Sequence, residues 1–322
     1  MACTNVVGAK SYLYLVSEDL WGINPFDASG SGTGSQQAVH VPVTSYGVKF
    51  NPENRQGNPY LGVFDRKHNI NFRGMPAGTL VSPMYGYYPD GLSKSIAQYL
   101  MEWAFDSPAE CELPSKTAYW AEGPSIADKE HNGLRVNSAT LTGSDDSGML
   151  ELSLDLMGRY DSNPSTTLQS VPNDREKLVD MEYHRTTMSL GGVAITPKAF
   201  TLSRQHSLQV HYLNSFEPTL LVKTQMKTTL SVTVPKNSNT YDAYRRLSTS
   251  TEMTGQIVGK GLHNSTGPSG TLTTMQLDFA RLSFINVEDQ GGKDDVLFQN
   301  INFEVLKPDT STAQIVLTWG NA

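Results

Sequence analysis

Basic residues are scarce and scattered in this chain of 322 residues. Charged side chains make up 18% of it, below the roughly 25% of a typical soluble protein, and the formal net charge is −7. The pair Arg245–Arg246 is too short to count as a basic run. A protein that grips nucleic acid normally carries a basic face. The sequence therefore excludes that mode of binding, and its acidity permits repulsion of DNA instead.

Cysteine and long apolar runs are also scarce. The two cysteines, Cys3 and Cys111, lie far apart and form no CxxC motif, so we expect reduced thiols in a cytosol rather than a disulfide. No apolar run approaches the ~20 residues of a membrane-spanning helix, and the beginning of the chain lacks the pattern of a signal peptide. We expect a protein without a membrane partner that works where it is made or leaves the cell by lysis.

Patterns for catalysis or cofactor binding are missing from the sequence. It contains no HExxH, no GxSxG and no glycine-rich loop followed by Lys-Ser/Thr, and its seven histidines are scattered. The acidic pairs Asp145–Asp146 and Asp294–Asp295 stand close to glycines, where Asp usually forms turns. The sequence therefore predicts a protein that is not an enzyme and has no catalytic residues, cofactor or metal.

Strand-forming and turn-forming residues are what the chain has instead. Hydrophobic residues make up 38%, and much of the rest is Ser, Thr, Asn, Gln and 27 glycines. Val, Leu, Ile and aromatic residues recur along the whole length, which argues against disorder. Residues 1–35 hold one short apolar stretch, Ser11–Val16, followed by the Gly/Ser-rich run Asp27–Ser35. We interpret them as an N-terminal arm and flexible linker outside the core.

The segment over 36–160 alternates between strand and loop patterns. Val39, Val41 and Val43 share one face of a strand predicted over 39–50. The elements predicted after it are a loop rich in Asn, Pro and Gly over 51–62, a strand over 64–74, an amphipathic helix over 92–105, a short strand over 117–121, and a hairpin with strands over 134–141 and 149–160.

The same order of elements returns after a polar linker over 161–182. The elements predicted there are a strand over 200–212, a loop over 214–218, a strand over 220–234, a short helix over 239–247, a strand over 252–259, and a hairpin with strands over 277–284 and 296–305 around a loop over 286–294. A helix in the same slot of each half favours a duplication, with domains over 36–160 and 183–322. All-β chains nevertheless often present hairpins in series.

Three stretches of the sequence resemble the tail tube proteins of long-tailed bacteriophages. They are VPVTS at 41–45, NINFRG at 69–74 leading towards the helix, and LSLDL at 152–156, which NINFEV at 300–305 echoes. The resemblance runs from about residue 36 to the end of the chain. It implies a mainly β fold of two tandem β-sandwich or split-barrel domains, each with one flanking α-helix.

The resemblance also implies a function and partners. In that family six such folds form a ring, and rings stack into a hollow tube through which the genome passes during ejection. A chain with two copies would close the ring as a trimer. The implied partners are further copies of the chain, a tape measure protein, and tail terminator and tip proteins, while DNA passes without specific binding. The protein would be assembled in the host cytoplasm and reside in the virion tail.

Two sets of site residues follow under this resemblance. Polar alternates of the predicted strands would form a neutral or acidic lumen lining, although an ordinary solvated sheet face gives the same pattern. The lumen-facing candidates are Asn69, Asn71, Glu151, Ser153, Asp155, Gln299, Asn300, Asn302 and Glu304. The candidates for loops between rings are Asn51, Pro52, Glu53, Asn54, Arg55, Asp145 and Asp146.

Two other classes of protein stay open at the level of sequence. A carbohydrate- or receptor-binding β-sandwich of a virion or cell surface predicts a cluster of exposed aromatic side chains. The cluster available for that role is Tyr85, Tyr87 and Tyr88, in a loop before the predicted helix. A hydrolase on a β scaffold needs a nucleophile with a base beside it, and no such pair is visible.

Overall fold

Long antiparallel strands dominate the fold, which was obtained as a computed structural model. The structure describes residues 12–23, 25, 38–57, 68–86, 94–105, 113–121, 128–163, 180–236, 252–261, 273–291, 297–308 and 313–321, without the side chains of 54–57, 68–72, 290 and 321. The second predicted helix, over 239–247, and both cysteines lie outside these residues.

Twenty elements lie within the described residues. Those of the first half are β1 (Tyr12–Ser17), β2 (Val39–Val41), β3 (Ser45–Tyr46), β4 (Lys49–Gly57), β5 (His68–Pro83), α1 (Ile96–Phe105), β6 (Lys116–Ala121), β7 (Lys129–Ser144), β8 (Leu150–Met157) and β9 (Tyr160–Ser162). Those of the second half are β10 (Met181–Leu190), β11 (Val193–Ile195), β12 (Ala199–Gln205), β13 (Leu208–His211), β14 (Leu220–Lys223), β15 (Lys227–Pro235), β16 (Met253–Gly261), β17 (Thr273–Gln290), β18 (Phe298–Val305) and β19 (Ile315–Asn321). The mainly β fold is therefore confirmed.

The first half consists of two layers that share strand β7. The beginning of β7 pairs with β6 and β9, and β6 continues through β1 to β2. The rest of β7 pairs with β8, and β8 continues through β5 to β4. A bulge at Asn137 separates the two parts of β7, which is where such irregularities bend a strand. Leucines of both layers meet in one hydrophobic core.

The second half repeats these strand pairings in the same order. The pairs β1–β2, β1–β6, β6–β7, β7–β8, β7–β9, β5–β8 and β4–β5 return as β10–β11, β10–β16, β16–β17, β17–β18, β17–β19, β15–β18 and β12–β15. The bulge returns as well, at Ile285 of β17. Pro83 and Pro235 end the matching strands β5 and β15.

One further pairing joins the two halves edge to edge. Residues Ser138–Ser144 of β7 pair with Ala199–Gln205 of β12 in antiparallel register, with Leu141 opposite Leu202. This joint makes one continuous sheet in the order β4–β5–β8–β7–β12–β15–β18–β17, here called the long sheet. Each half therefore covers an edge of the other.

Helix α1 packs over the joint, and the second half caps its C-terminal end. The predicted helix over 92–105 is confirmed from Ile96, and the Ser95 hydroxyl accepts a bond from the Gln98 N–H at 3.1 Å as an N-cap. At the other end the fully buried guanidinium of Arg204, on β12, donates to the carbonyl oxygen of Phe105. A cation near the C-terminus stabilises a helix because the last carbonyls lack partners and the dipole is negative there.

Strand β1 corrects the interpretation of residues 1–35 as an arm. Leu13 and Leu15 are fully buried in the main core, and β1 lies between β2 and β6. Glu18, just after β1, accepts hydrogen bonds from the Thr117 hydroxyl at 2.6 Å and from the Gly133 N–H at 2.7 Å. The Gly/Ser-rich run that suggested a detached arm follows this strand and says nothing about the burial of the strand itself.

Several predicted boundaries were wrong, and in the first cases below the reason is that the chain changes its pairing partner inside an apolar stretch. The strand predicted over 39–50 is three strands. Strand β2 pairs with β1 in one layer, whereas β3 and β4 pair with β5 in the other. The strands predicted over 200–212 and 220–234 each break, and β13 and β14 form a separate hairpin. The loop predicted over 286–294 begins later, since β17 extends to Gln290. Strands β10, β11 and β19 were not predicted.

The burial of Leu15 yields a test of this correction. Replacing Leu15 by Ala removes a fully buried side chain from the core and should lower the free energy of unfolding by about 2–5 kcal/mol. The matched control is Leu20→Ala, at a leucine that is 65% exposed, which should change it by less than about 0.5 kcal/mol. Chemical denaturation of the unassembled chain measures both, and equal stability of the two variants contradicts the placement of β1.

Two buried histidines make stability depend on pH. Burial lowers the pKa of His131 to about 4, and its Nδ1 lies 2.8 Å from the Tyr46 hydroxyl. Burial, helped by Arg204, likewise lowers the pKa of His206 to about 4. Both pKa values lie below the ordinary ~6.5 of the unfolded chain. The stability they contribute is therefore complete above about pH 6.5 and is lost as the pH falls towards 4.

We expect the free energy of unfolding to drop by about 1 kcal/mol per buried histidine between about pH 7.5 and pH 5.5. His206→Gln should flatten this dependence, because glutamine has no proton to take up. His211→Gln serves as the control, since His211 is exposed on β13. Unfolding by urea at a series of pH values measures the slope, and an unchanged slope in His206→Gln contradicts the assignment.

Candidate functional site

The long sheet has two unlike faces. Along β8, Leu150, Leu152, Leu154 and Leu156 are fully buried against the core, while the residues between them point the other way. The alternation follows from the period of two of a β-strand. The same alternation runs through β12, β15 and β18, so the long sheet carries a continuous polar surface opposite the core.

This surface, here called the polar face, crosses the joint between the halves. Its residues on the first half are Ala77, Thr79, Val81, Ser138, Thr140, Thr142, Glu151, Ser153 and Asp155. Its residues on the second half are Thr201, Ser203, Gln205, Thr229, Ser231, Thr233, Asn286, Glu288, Asn300, Asn302 and Glu304. The acids of this face are Glu151, Asp155, Glu288 and Glu304, and it also carries Lys49, directly opposite Ala77, and Lys227, directly opposite Gln205. Lys49 and Lys227 lie at its margins on β4 and β15.

Hydrogen bonds between neighbouring strands hold these short side chains in place. The Ser231 hydroxyl donates to Asn300 Oδ1 at 2.7 Å, and Asn302 Nδ2 donates to Asn286 Oδ1 at 2.8 Å. Asn137 Nδ2 donates to Asp155 Oδ2 at 2.8 Å. Thr140 Oγ1 and Ser203 Oγ approach to 3.4 Å across the joint. The polar face is therefore a hydrogen-bonded surface of short side chains, with the long basic side chains of Lys49 and Lys227 at its margins.

Such a surface repels a polyanion rather than binding it. Lys and Arg that neutralise phosphates supply most of the non-specific affinity for DNA, and the lysines of this face, Lys49 and Lys227, lie at its margins and are outnumbered by acids. Four carboxylates, Glu151, Asp155, Glu288 and Glu304, give it a negative potential.

Most of the predicted lumen residues share this face, and one does not. Glu151, Ser153, Asp155, Asn300, Asn302 and Glu304 are members of the polar face. Gln299 is 1% exposed and lies on the core side, where its Nε2 donates to Asp289 Oδ1 at 3.2 Å, so its prediction as a lumen residue is wrong. Asn69 and Asn71 lie in β5, and their side chains are outside the described part of the chain.

Sequence reasoning missed the members of the polar face on β7, β12 and β15. The signal was available in the alternation over Thr228–Val234, where Thr229, Ser231 and Thr233 stand between buried residues. The joint itself carried no signal, because pairing of β7 with β12 connects residues about 60 positions apart in the chain.

The residues predicted for loops between rings divide in two groups. Asn51, Pro52, Glu53, Asn54 and Arg55 lie in strand β4 rather than in a loop, because β4 pairs with β5 up to Gly57 through a bulge after Glu53. The Glu53 carboxylate also forms an ion pair with Arg73 of β5. Asp145 and Asp146 do lie in the exposed turn between β7 and β8. Contact of either group with another ring stays a prediction.

The aromatic cluster predicted for a surface-binding protein lies only partly within the described residues. Tyr85 is half-buried and packs against the core, and Tyr87 and Tyr88 lie outside the described residues. A groove of about 760 Å³ opens beside Asp145, Asp146, Tyr183 and His184.

Among the described residues no group of three or more His, Cys, Asp or Glu is placed to hold a metal ion. In the same residues no helix is long and apolar enough to cross a membrane.

Comparison with known proteins identifies the family. No curated protein matches the chain. The model of one family, described as phage tail tube protein, matches residues 8–305, nearly the whole chain. That family is structural, and its members belong to the tail of the virion. This match places the chain in the phage tail tube protein family, as a structural component of the virion tail.

Proposed function

We propose that three copies of this chain close a ring of six tube folds, that the rings stack into the tail tube, and that the genome passes through the lumen during ejection. The family match supports a tube subunit. The stoichiometry rests on the fold of the single chain. The joint between β7 and β12 carries the proposal, because it brings two similar folds edge to edge within one molecule.

The two copies of the fold are assigned by the repeated pairings. The first copy comprises β1 to β9, from Tyr12 to Ser162, and the second comprises β10 to β19, from Met181 to Asn321. These bounds revise the domains predicted over 36–160 and 183–322, since β1 plays the part in the first copy that β10 plays in the second. The linker between the copies narrows to residues 163–180.

The polar face would form the wall of the lumen. Each chain offers one such face across eight strands, and three chains would surround the passage with hydroxyl, amide and carboxylate groups. Glu151, Asp155 and Glu304 would repel the phosphates and keep DNA off the wall. The partners we propose are further copies of the chain, a tape measure protein, and tail terminator and tip proteins, with assembly in the host cytoplasm.

Electron microscopy and native mass spectrometry of the purified chain test the assembly. We expect tubes or rings with six lobes and a ring mass equal to three chains of 35.3 kDa. A ring of six chains overturns the proposed stoichiometry. A chain that stays monomeric at high concentration and binds glycans overturns the tube function and favours the surface-binding alternative.

The orientation of the polar face can be tested by reversing its charge. We expect tubes of the triple variant Glu151→Lys, Asp155→Lys, Glu304→Lys to take up short duplex DNA and protect it from nuclease, because the added lysines bind phosphate inside the wall. The control reverses three acids outside the polar face and outside the candidate contacts between rings, Asp19, Asp161 and Glu217, which are exposed.

Control tubes should bind DNA that stays accessible to nuclease, and unmodified tubes should bind little. Protection by the control tubes, or cleavage of DNA held by the triple variant, places the polar face on the outside of the tube.

A further inference from the structure

The register of the joint between β7 and β12 can be applied to the two edge strands of the long sheet, β17 and β4. At the joint, Thr140 of β7 lies opposite Ser203 of β12, and their hydroxyl oxygens are 3.4 Å apart on the polar face. Leu141 and Leu202, next along the strands, meet on the core face, where both are fully buried. The pairing is antiparallel over seven residues of each strand.

Strand β17 takes the place of β7 in the second copy. The bulges at Asn137 and Ile285 align the two strands, because each lies between residues that pair with β8 or β18. Counted from the bulge, Glu288 occupies the position of Thr140, and Val287 occupies that of Ala139. The burial of the paired strands agrees, since Leu154 and Ile301 both lie fully buried at matching positions.

Strand β4, with β3 before it, takes the place of β12 in the first copy. The N–H groups of Thr44 and Lys198 donate to the carbonyl oxygens of Val81 and Thr233, so these two residues match. Counted from them, Lys49 occupies the position of Ser203 and Phe50 that of Arg204. Within the described residues, β4 pairs with β5 alone, and the part of β17 beyond the bulge pairs with β18 alone.

We infer that β17 of one chain pairs with β4 of the next chain in the ring, antiparallel, with Lys49 opposite Glu288 and Phe50 opposite Val287. The inference rests on the proposed tube function and specifies its interface. Each chain has one edge of each kind, so the contact is head to tail and can close into a ring. The proposed contact pairs the outer edges of β17 and β4, which have no partner strand within the described residues, in the same way as β7 pairs with β12.

Charge and exposure at the two edges support this register. Lys49 and Glu288 are both exposed, and their opposite charges would meet where the inner joint has two neutral hydroxyls. Opposite charges directly across an antiparallel pair are stabilising. Phe50, 38% exposed, and Ile285, 49% exposed, are large apolar side chains beside these edges, where a neighbouring strand would cover them.

Pro52 sets the end of the proposed pairing. In the inner joint the N–H of His206 donates to the carbonyl oxygen of Asn137. The matching residue of β4 is Pro52, which has no N–H. The joint between chains therefore lacks this bond and ends at Asn51 opposite Asn286. Proline is tolerated in a strand at such an edge position.

Engineered cysteines test the register directly. In a chain carrying Cys3→Ser and Cys111→Ser, the pair Lys49→Cys and Glu288→Cys should give disulfide-linked dimers and trimers when assembled rings are oxidised, because directly opposed residues lie within disulfide range. The pair Thr140→Cys and Ser203→Cys is the positive control and should close within one chain. The pair Lys49→Cys and Leu297→Cys is the negative control, since Leu297 is exposed but outside β17.

Exchange of the charges gives a second readout. Lys49→Glu should reduce ring formation about tenfold, because two carboxylates would then face each other, and the double variant Lys49→Glu, Glu288→Lys should restore it. The matched control Lys227→Glu removes an exposed lysine at the other margin of the polar face and should assemble normally.

The outcomes distinguish failure of the proposed joint from failure of the proposed tube function. Rings that form without a link between positions 49 and 288, or a charge exchange that restores nothing, overturn the proposed joint and leave the tube function standing. A chain that never assembles under any condition overturns both.

Discussion

The unpaired edge of an antiparallel sheet is the constraint on which this molecule depends. A strand edge exposes N–H and C=O groups that must find partners, and proteins pair, cover or block such edges. Here β7 is paired on both sides over Ser138–Gly143, by β8 and by β12. That pairing fuses the halves, extends the polar face across them, and brings Arg204 to the end of helix α1. In the proposed ring the same pairing would also join one chain to the next.

The two faces of the long sheet divide the work of the protein. On the core side, leucines from both layers stabilise each half by burial. On the opposite side, serine, threonine and asparagine hydrogen-bond to one another across strands, so their conformations are restricted. The polar side therefore presents hydroxyl, amide and carboxylate groups whose positions are fixed by these hydrogen bonds.

Local periodicity accounts for the parts of the fold that the sequence predicted. Leu150–Leu156 alternates because one face is buried, and Leu100, Trp103 and Ala104 recur at helical spacing because one side of α1 is buried. Composition misled over Asn51–Arg55, where Asn and Pro suggested a loop although the segment pairs with β5. Gln299 was misassigned because it was grouped with its neighbour Asn300, although adjacent residues of a strand lie on opposite faces.

Long-range pairings determine the parts of the fold that the sequence did not predict. The sequence Met181–Leu190 of β10 has no clean alternation, and its place is fixed by β16, more than sixty residues later in the chain. Strand β1 was separated from the core by the Gly/Ser-rich stretch after it, yet its partner β6 lies beyond the helix. The order of elements was enough to suggest a duplication. The register that makes the copies comparable, including the bulges at Asn137 and Ile285, required coordinates.

The two copies differ in one respect that matters for how rings would meet. The hairpin of β4 and β5 continues the long sheet as far as Gly57 opposite His68, whereas in the second copy β13 and β14 form a separate hairpin that pairs Leu208–His211 with Leu220–Lys223. In the proposed trimer, continuous and separate hairpins would alternate around the circumference. A neighbouring ring would then fit in three rotational settings instead of six, so the duplication would halve the number of ways in which successive rings can be phased along the tube.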